Sequence, residues 1–152
     1  MSRLLLLIPL LLYAAACRNP LAVSDCPEEI EITVSAGTTP EIDWTPRCHL
    51  QGLYVWTPYG NATGWSIHGP PEYLICSDYG GGCNGQPLNT LYPPIRWGLV
   101  PEDAFQAFPH PGETVPPLRV GWPYVVHLSR ANGSVGVGSW SAVDTFVVTA
   151  AP

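Results

Sequence analysis

Apolar and polar residues alternate with a period of two along much of this chain. Ile30, Ile32 and Val34 alternate with Glu29, Glu31 and Thr33, and Ile42 and Trp44 alternate with Glu41 and Asp43. Ala36-Gly37-Thr38-Thr39 between them reads as a turn, so the two runs predict a hairpin with one dry and one wet face. Leu53 and Val55 alternate with Tyr54 and Trp56, Trp65 and Ile67 with Ser66 and His68, and Tyr124, Val126 and Leu128 with Val125, His127 and Ser129. Asn132-Gly133-Ser134 predicts a turn, and Val143 to Thr149 a last strand. No segment carries the 3.6-residue period of a substantial helix, although Pro101-Glu102-Asp103-Ala104-Phe105 predicts one helical turn. The pattern therefore predicts one all-β domain over residues 29–150.

Two segments break the alternation. Behind Met1-Ser2-Arg3, an apolar run from Leu4 to Ala16 has the length and flanks of a signal-peptide core, which assigns residues 1–16 to export. It is shorter than the ~20 residues needed to span a bilayer as a helix. Residues 17–28 have no periodicity and predict a tether, whose residues 18–28 extend to about 35 Å at most. The second break, at about residues 69–93, is rich in Pro, Gly and Tyr and predicts an insertion between strands.

Composition narrows the partners. The chain has 18 prolines and 15 glycines, which suits a sheet protein with many turns. Lys and Arg number 6 against 12 carboxylates, for a formal charge of -6, and every one of the six is arginine. A chain this acidic lacks the basic patch that nucleic acid requires, and without lysine it cannot form a lysine Schiff base.

The end of the apolar run, Tyr13-Ala14-Ala15-Ala16-Cys17, resembles the lipobox of bacterial lipoproteins, in which the cysteine becomes the acylated N-terminus. The resemblance implies palmitate or a similar acyl group on Cys17 and attachment to a membrane. Arg18 rather than Asp after the cysteine implies sorting to the outer membrane in a Gram-negative envelope. Ala14-Ala15-Ala16 also reads as an ordinary secretory cleavage site cut at the same bond.

Two further stretches resemble fibronectin type III domains. Pro40-Glu41-Ile42-Asp43-Trp44-Thr45-Pro46 is similar to their second strand, and Leu118-Arg119-Val120-Gly121-Trp122-Pro123-Tyr124 to the turn into their sixth. The resemblance implies an immunoglobulin-like antiparallel β-sandwich. Trp44 would pack between the sheets, Leu118 and Gly121 would form the turn, and Tyr124 would point its ring inward and its hydroxyl back to the backbone.

The chain has 5 cysteines, and an odd number in an exported chain leaves one without an intramolecular partner. Assigning Cys17 to lipid leaves Cys26, Cys48, Cys76 and Cys83 for two disulfides. Cys26 and Cys48 lie almost symmetrically about the turn at residues 36–39, while Cys76 and Cys83 flank a glycine-rich loop that can double back. These spacings favour Cys26–Cys48 and Cys76–Cys83, with the other two pairings open.

Candidate chemistry is sparse. Gly64-Trp65-Ser66-Ile67-His68-Gly69 is the nearest approach to a nucleophile elbow, but His68 stands where glycine belongs and no strand-to-helix turn follows. Glu102-Asp103 is an adjacent carboxylate pair whose plainer reading is a solvated turn. His49, His68, His110 and His127 show no metal-ligand spacing, and Asp78 lacks the alternating carboxylates of a calcium loop, so no metal or other cofactor is expected. Asn61-Ala62-Thr63 and Asn132-Gly133-Ser134 match glycosylation sequons that would be incidental in a bacterial lipoprotein.

The one enrichment is aromatic: Tyr54, Trp56, Tyr59, Trp65, Tyr73, Tyr79, Tyr92 and Trp97. These rings either pack the insertion onto the sheet or, where exposed, form a surface for protein or polysaccharide. The expectation is a non-catalytic binding or structural module at the cell envelope. One alternative is a carbohydrate-binding module using Tyr54, Trp56, Tyr59 or Trp65 in a coplanar exposed row. Another is a small hydrolase with Ser66 or Glu102 in a cleft.

Overall fold

A computed structural model of the chain describes residues 24–27, 29–59, 64–69, 89–131 and 138–151. The described residues hold strands and turns with no helix. Strands β1 (Glu31–Val34), β2 (Glu41–Thr45) and β5 (Ile95–Arg96) form a three-stranded sheet in the order β1-β2-β5. Strands β3 (Gly52–Trp56), β4 (Trp65–His68), β6 (Phe105–Phe108), β7 (Pro123–Ala131) and β8 (Gly138–Val147) form a five-stranded sheet in the order β6-β4-β3-β7-β8. Every pairing in both sheets is antiparallel.

Alternation dictates what each sheet buries. Ile42 and Trp44 of β2 meet Leu53 and Val55 of β3, Trp65 and Ile67 of β4, and Tyr124, Val126 and Leu128 of β7 in a single core. Each such side chain removed from water contributes roughly 1.5–3 kcal/mol. Two of the indoles carried inward are matched, whereas the Trp65 indole N–H finds no acceptor among the described residues. The Trp44 indole N–H donates to the Cys48 carbonyl at 3.0 Å, and that of Trp97 to the Pro116 carbonyl at 3.0 Å. Buried Asn89 accepts from the Ala131 N–H at 2.9 Å and donates to its carbonyl at 3.2 Å, which fixes the chain's return from the 70–88 segment to the end of β7.

The turn into β7 is built around Tyr124. Its ring is buried and its hydroxyl accepts a hydrogen bond from the Arg119 N–H at 3.1 Å. Gly121 between them has a φ of 79°, a conformation that costs a residue with a Cβ but not glycine, and its N–H donates to the Val148 carbonyl. Leu118 is buried and donates its N–H to the Thr38 carbonyl, joining this turn to the β1–β2 turn.

Cys26 and Cys48 form a disulfide with Cα atoms 5.1 Å apart. Bonds on both sides hold the segment before β1 in place. Asp25 accepts from the His49 N–H at 2.7 Å, and Arg130 of β7 donates to the Cys26 and Pro27 carbonyls. Cys17, Cys76 and Cys83, the leader, most of the tether, both sequons and Asp78 lie outside the described residues, as do residues 70–88 of the 69–93 insertion.

Two expectations need correction. The helical turn at residues 101–105 is instead a turn closed by the Ala104 N–H donating to the Pro101 carbonyl, after which Phe105 begins β6 against β4. The last strand runs over Gly138–Val147 rather than Val143 to Thr149, because pairing with β7 continues past the apolar residues into a stretch without alternation.

Candidate functional surface

The two sheets present opposite chemistry to solvent. The outer face of the three-stranded sheet carries Glu31, Thr33, Glu41, Asp43, Thr45 and Arg96, with Glu41 paired to Arg96 across the strands. An Arg47–Asp43 ion pair at 2.9 Å adds to it. This is an ordinary hydrated sheet face.

The outer face of the five-stranded sheet follows from its register. Tyr54 of β3 stands between Ser66 of β4 and His127 of β7, Gly52 between His68 and Ser129, and Trp56 beside Val125. On the flanks, Phe105 pairs with His68, Phe108 with Ser66, Val143 with His127 and Thr145 with Val125. With its histidines neutral, this face carries no formal charge in a chain of net charge -6. Its large apolar residues stay wet: Trp56 is 37% exposed, Phe108 46% and Val143 60%. Contiguous apolar surface of this kind marks an interaction site more often than scattered exposed residues do.

The rings on this face pack on one another. His68 stacks on Phe105 with 5.5 Å between centroids and planes 19° apart, and Tyr54 on His127 at 5.3 Å and 30°. Tyr54 meets His68 edge-on at 89°, and Trp56 meets His127 at 84°. The Tyr54 hydroxyl and His68 Nδ1 lie 3.3 Å apart. A glycine makes this possible: a Cβ on residue 52 would come within 2.6 Å of the Ser129 hydroxyl and 2.9 Å of the Tyr54 ring. Tyr54 therefore leans over bare backbone to reach His68, as aromatic rings cover strand glycines.

Burial lowers the pKa of both His68 and His127 from the usual imidazole value. The Nε2 of His127 is itself buried and finds no hydrogen-bond partner among the described residues, so a charge there would be poorly stabilised. Both imidazoles are neutral at pH 7.

The aromatic candidates fall into three places. Tyr54 and Trp56 lie on this outer face, and Tyr59, 74% exposed, follows in the turn after β3. Trp65 does not belong with them: it is 1% exposed and packs edge-to-face on Trp97 in the core. Its place was readable, because Trp65 shares a strand face with Ile67. Tyr92 packs on His49, and Tyr73 and Tyr79 lie outside the described residues. Adjacent planes run from near-parallel to near-perpendicular, so the rings do not form a coplanar row.

Among known proteins, the chain matches no family model, no curated protein and no solved structure. A cavity of about 80 Å³ lies beside Trp97, Leu118 and Tyr124, and neither Ser66 nor Glu102 lines it. Ser66 and His68 are on the outer face of β4, and Glu102 is exposed in its turn. His49 Nδ1 pairs with the Asp25 carboxylate at 3.0 Å, while His110 lies in the loop after β6. Among the described residues no group of three or more His, Cys, Asp or Glu side chains could hold a metal ion.

Proposed function

We propose that this chain is a non-catalytic binding lipoprotein of a bacterial cell envelope, held by acylated Cys17 and docking a partner through the outer face of its five-stranded sheet. The observation that carries the reading is the uncharged aromatic and aliphatic surface on β6-β4-β3-β7-β8, set in an acidic chain whose other sheet is charged and hydrated. Solvating that much apolar surface has no structural benefit, so a partner that covers it accounts for its presence.

The domain itself is read as a fibronectin type III-like β-sandwich. Three features support this: Trp44 in the shared core, the Tyr124 hydroxyl bound to the backbone N–H five residues upstream, and a first, second and fifth strand opposed to the third, fourth and last two. Strand β6 is then an elaboration of the connection into β7, and the 69–93 segment one between β4 and β5. The short tether keeps the domain close to the bilayer, so its partner belongs to the envelope.

Chemical crosslinking followed by affinity capture from intact envelopes tests the docking, and palmitate labelling tests the anchor. The reading expects labelled wild type, unlabelled Cys17→Ser, and captured material that is lost when Trp56 and Phe108 are both changed to Ser. Wild type without label in its own host removes the anchor. Capture unchanged by the double substitution removes the docking face.

A further inference from the structure

Resting on that docking reading, we infer that the face is covered by the same face of a second copy of this chain. The argument begins with charge. Two copies of net charge -6 repel wherever their carboxylates meet, and the outer face of β1-β2-β5 brings Glu31, Glu41 and Asp43 to any contact. The outer face of the five-stranded sheet brings none, so it is the described sheet surface on which two acidic copies meet without placing like charges together.

Ring geometry selects the kind of partner. A saccharide stacks on an open aromatic face, and four of the rings here stack in pairs instead, His68 against Phe105 at 19° and Tyr54 against His127 at 30°. Beside them stand Phe108, Val143 and Val147, 46%, 60% and 56% exposed, a bulky apolar surface that interdigitates with side chains. Two such sheets pack face to face about 10 Å apart, with strands within roughly 30° of each other. A twofold axis through the contact makes it self-complementary and closed at two copies.

The strand edge argues for face rather than edge contact. The Thr145 N–H donates to the neighbouring Asp144 carboxylate at 2.7 Å, which occupies a β8 donor that could otherwise begin a ladder with another chain. Area then sets the strength. Five strands at ~4.8 Å and about five residues at ~3.4 Å give a face of roughly 400 Å² per copy. This is about half the ~800 Å² per partner of a standard interface. The dimer is therefore weak and reversible, which suits copies concentrated by tethering to one membrane.

Sedimentation equilibrium on the chain from residue 17, carrying Cys17→Ser and with its disulfides intact, tests this at about pH 7.5, where both imidazoles are neutral. The weight-average mass is expected to climb toward twice the monomer as concentration rises to about 1 mM. Val143→Glu, on the exposed centre of β8, should weaken association at least about tenfold. Thr33→Glu on the charged sheet should leave it unchanged. A constant monomer mass for wild type, or equal weakening by both variants, overturns the inference. The envelope capture separates the two levels: a monomeric wild type whose capture Val143→Glu still abolishes loses only the second copy, whereas capture indifferent to Val143→Glu removes the docking face as well.

Discussion

Gly52→Ala should destabilise the protein by about 1 kcal/mol, although glycine to alanine in a strand ordinarily stabilises. Where the backbone is relaxed, the substitution reduces unfolded-state entropy and contributes about 0.4–1 kcal/mol of stability. Residue 52 is in β3 with no positive φ, so that gain is available. Against it, the new Cβ would lie 2.6 Å from the Ser129 hydroxyl, and 2.9 and 3.1 Å from the Cε2 and hydroxyl of Tyr54. The Ser129 hydroxyl turns away by one side-chain rotation at little cost. Tyr54 cannot, because His68 and His127 hold its ring on either side. Overpacking of this kind costs about 1–3 kcal/mol, which outweighs the entropic gain. In a Tyr54→Ala background the obstruction is gone, and Gly52→Ala should become neutral or stabilising. Urea unfolding of the four proteins in this cycle gives the coupling directly. If Gly52→Ala stabilises wild type and Tyr54→Ala equally, Tyr54 does not lie over Gly52 and the ring cluster is wrongly assembled.

Three other outcomes follow from the same contacts. Replacing Cys26 and Cys48 by Ala opens a link between residues separated by 22 positions and should cost roughly 3.4 kcal/mol on the chain-entropy relation; an unchanged urea midpoint would show that the Asp25–His49 and Arg130 bonds suffice without it. Tyr124→Phe keeps the ring but removes the acceptor for the Arg119 N–H, with an expected loss of about 1 kcal/mol, and no loss in urea unfolding contradicts the role given to this hydroxyl. Because burial lowers the folded-state pKa of His68 and His127, the unfolded chain binds more protons below about pH 6.5. Stability should be complete above that pH and decline as it falls through the folded values, and His68→Gln with His127→Gln should flatten the urea midpoint between pH 7.5 and 5. Burial alone would raise the Asp25 carboxyl, but its bonds to His49 outweigh this and leave it lowered, so its contribution is lost only below about pH 4, outside that window.

Strands that alternate apolar and polar residues were legible in the sequence. Ile42 with Trp44, Leu53 with Val55, Trp65 with Ile67, and Tyr124 with Val126 and Leu128 mark their inward faces with no help from tertiary context. Strand β5 was not legible, because two residues carry no period. Strand β6 was not legible either: Pro101 to Phe105 read as one helical turn, and nothing in the local pattern marked Gln106 to Phe108 as a strand. Only its pairing with β4 makes it a strand, and Gln106 then faces inward, donating to the Pro109, His110 and Glu113 carbonyls. The candidate surface was half visible. Tyr54 and Trp56 stood out as aromatic residues on the side of β3 opposite Leu53 and Val55. His68 and His127 read as isolated surface residues, since their meeting over Tyr54 depends on β3 lying between β4 and β7, a long-range pairing absent from local pattern.

Photo-crosslinking in intact envelopes tests the central claim most directly, with a photoreactive residue placed at Phe108 in one strain and at Thr33 in another, both carrying the full chain. The account predicts adducts from Phe108, at the mass of two copies of the chain, and none above background from Thr33. Equal labelling from the two positions, or none from Phe108, would contradict it.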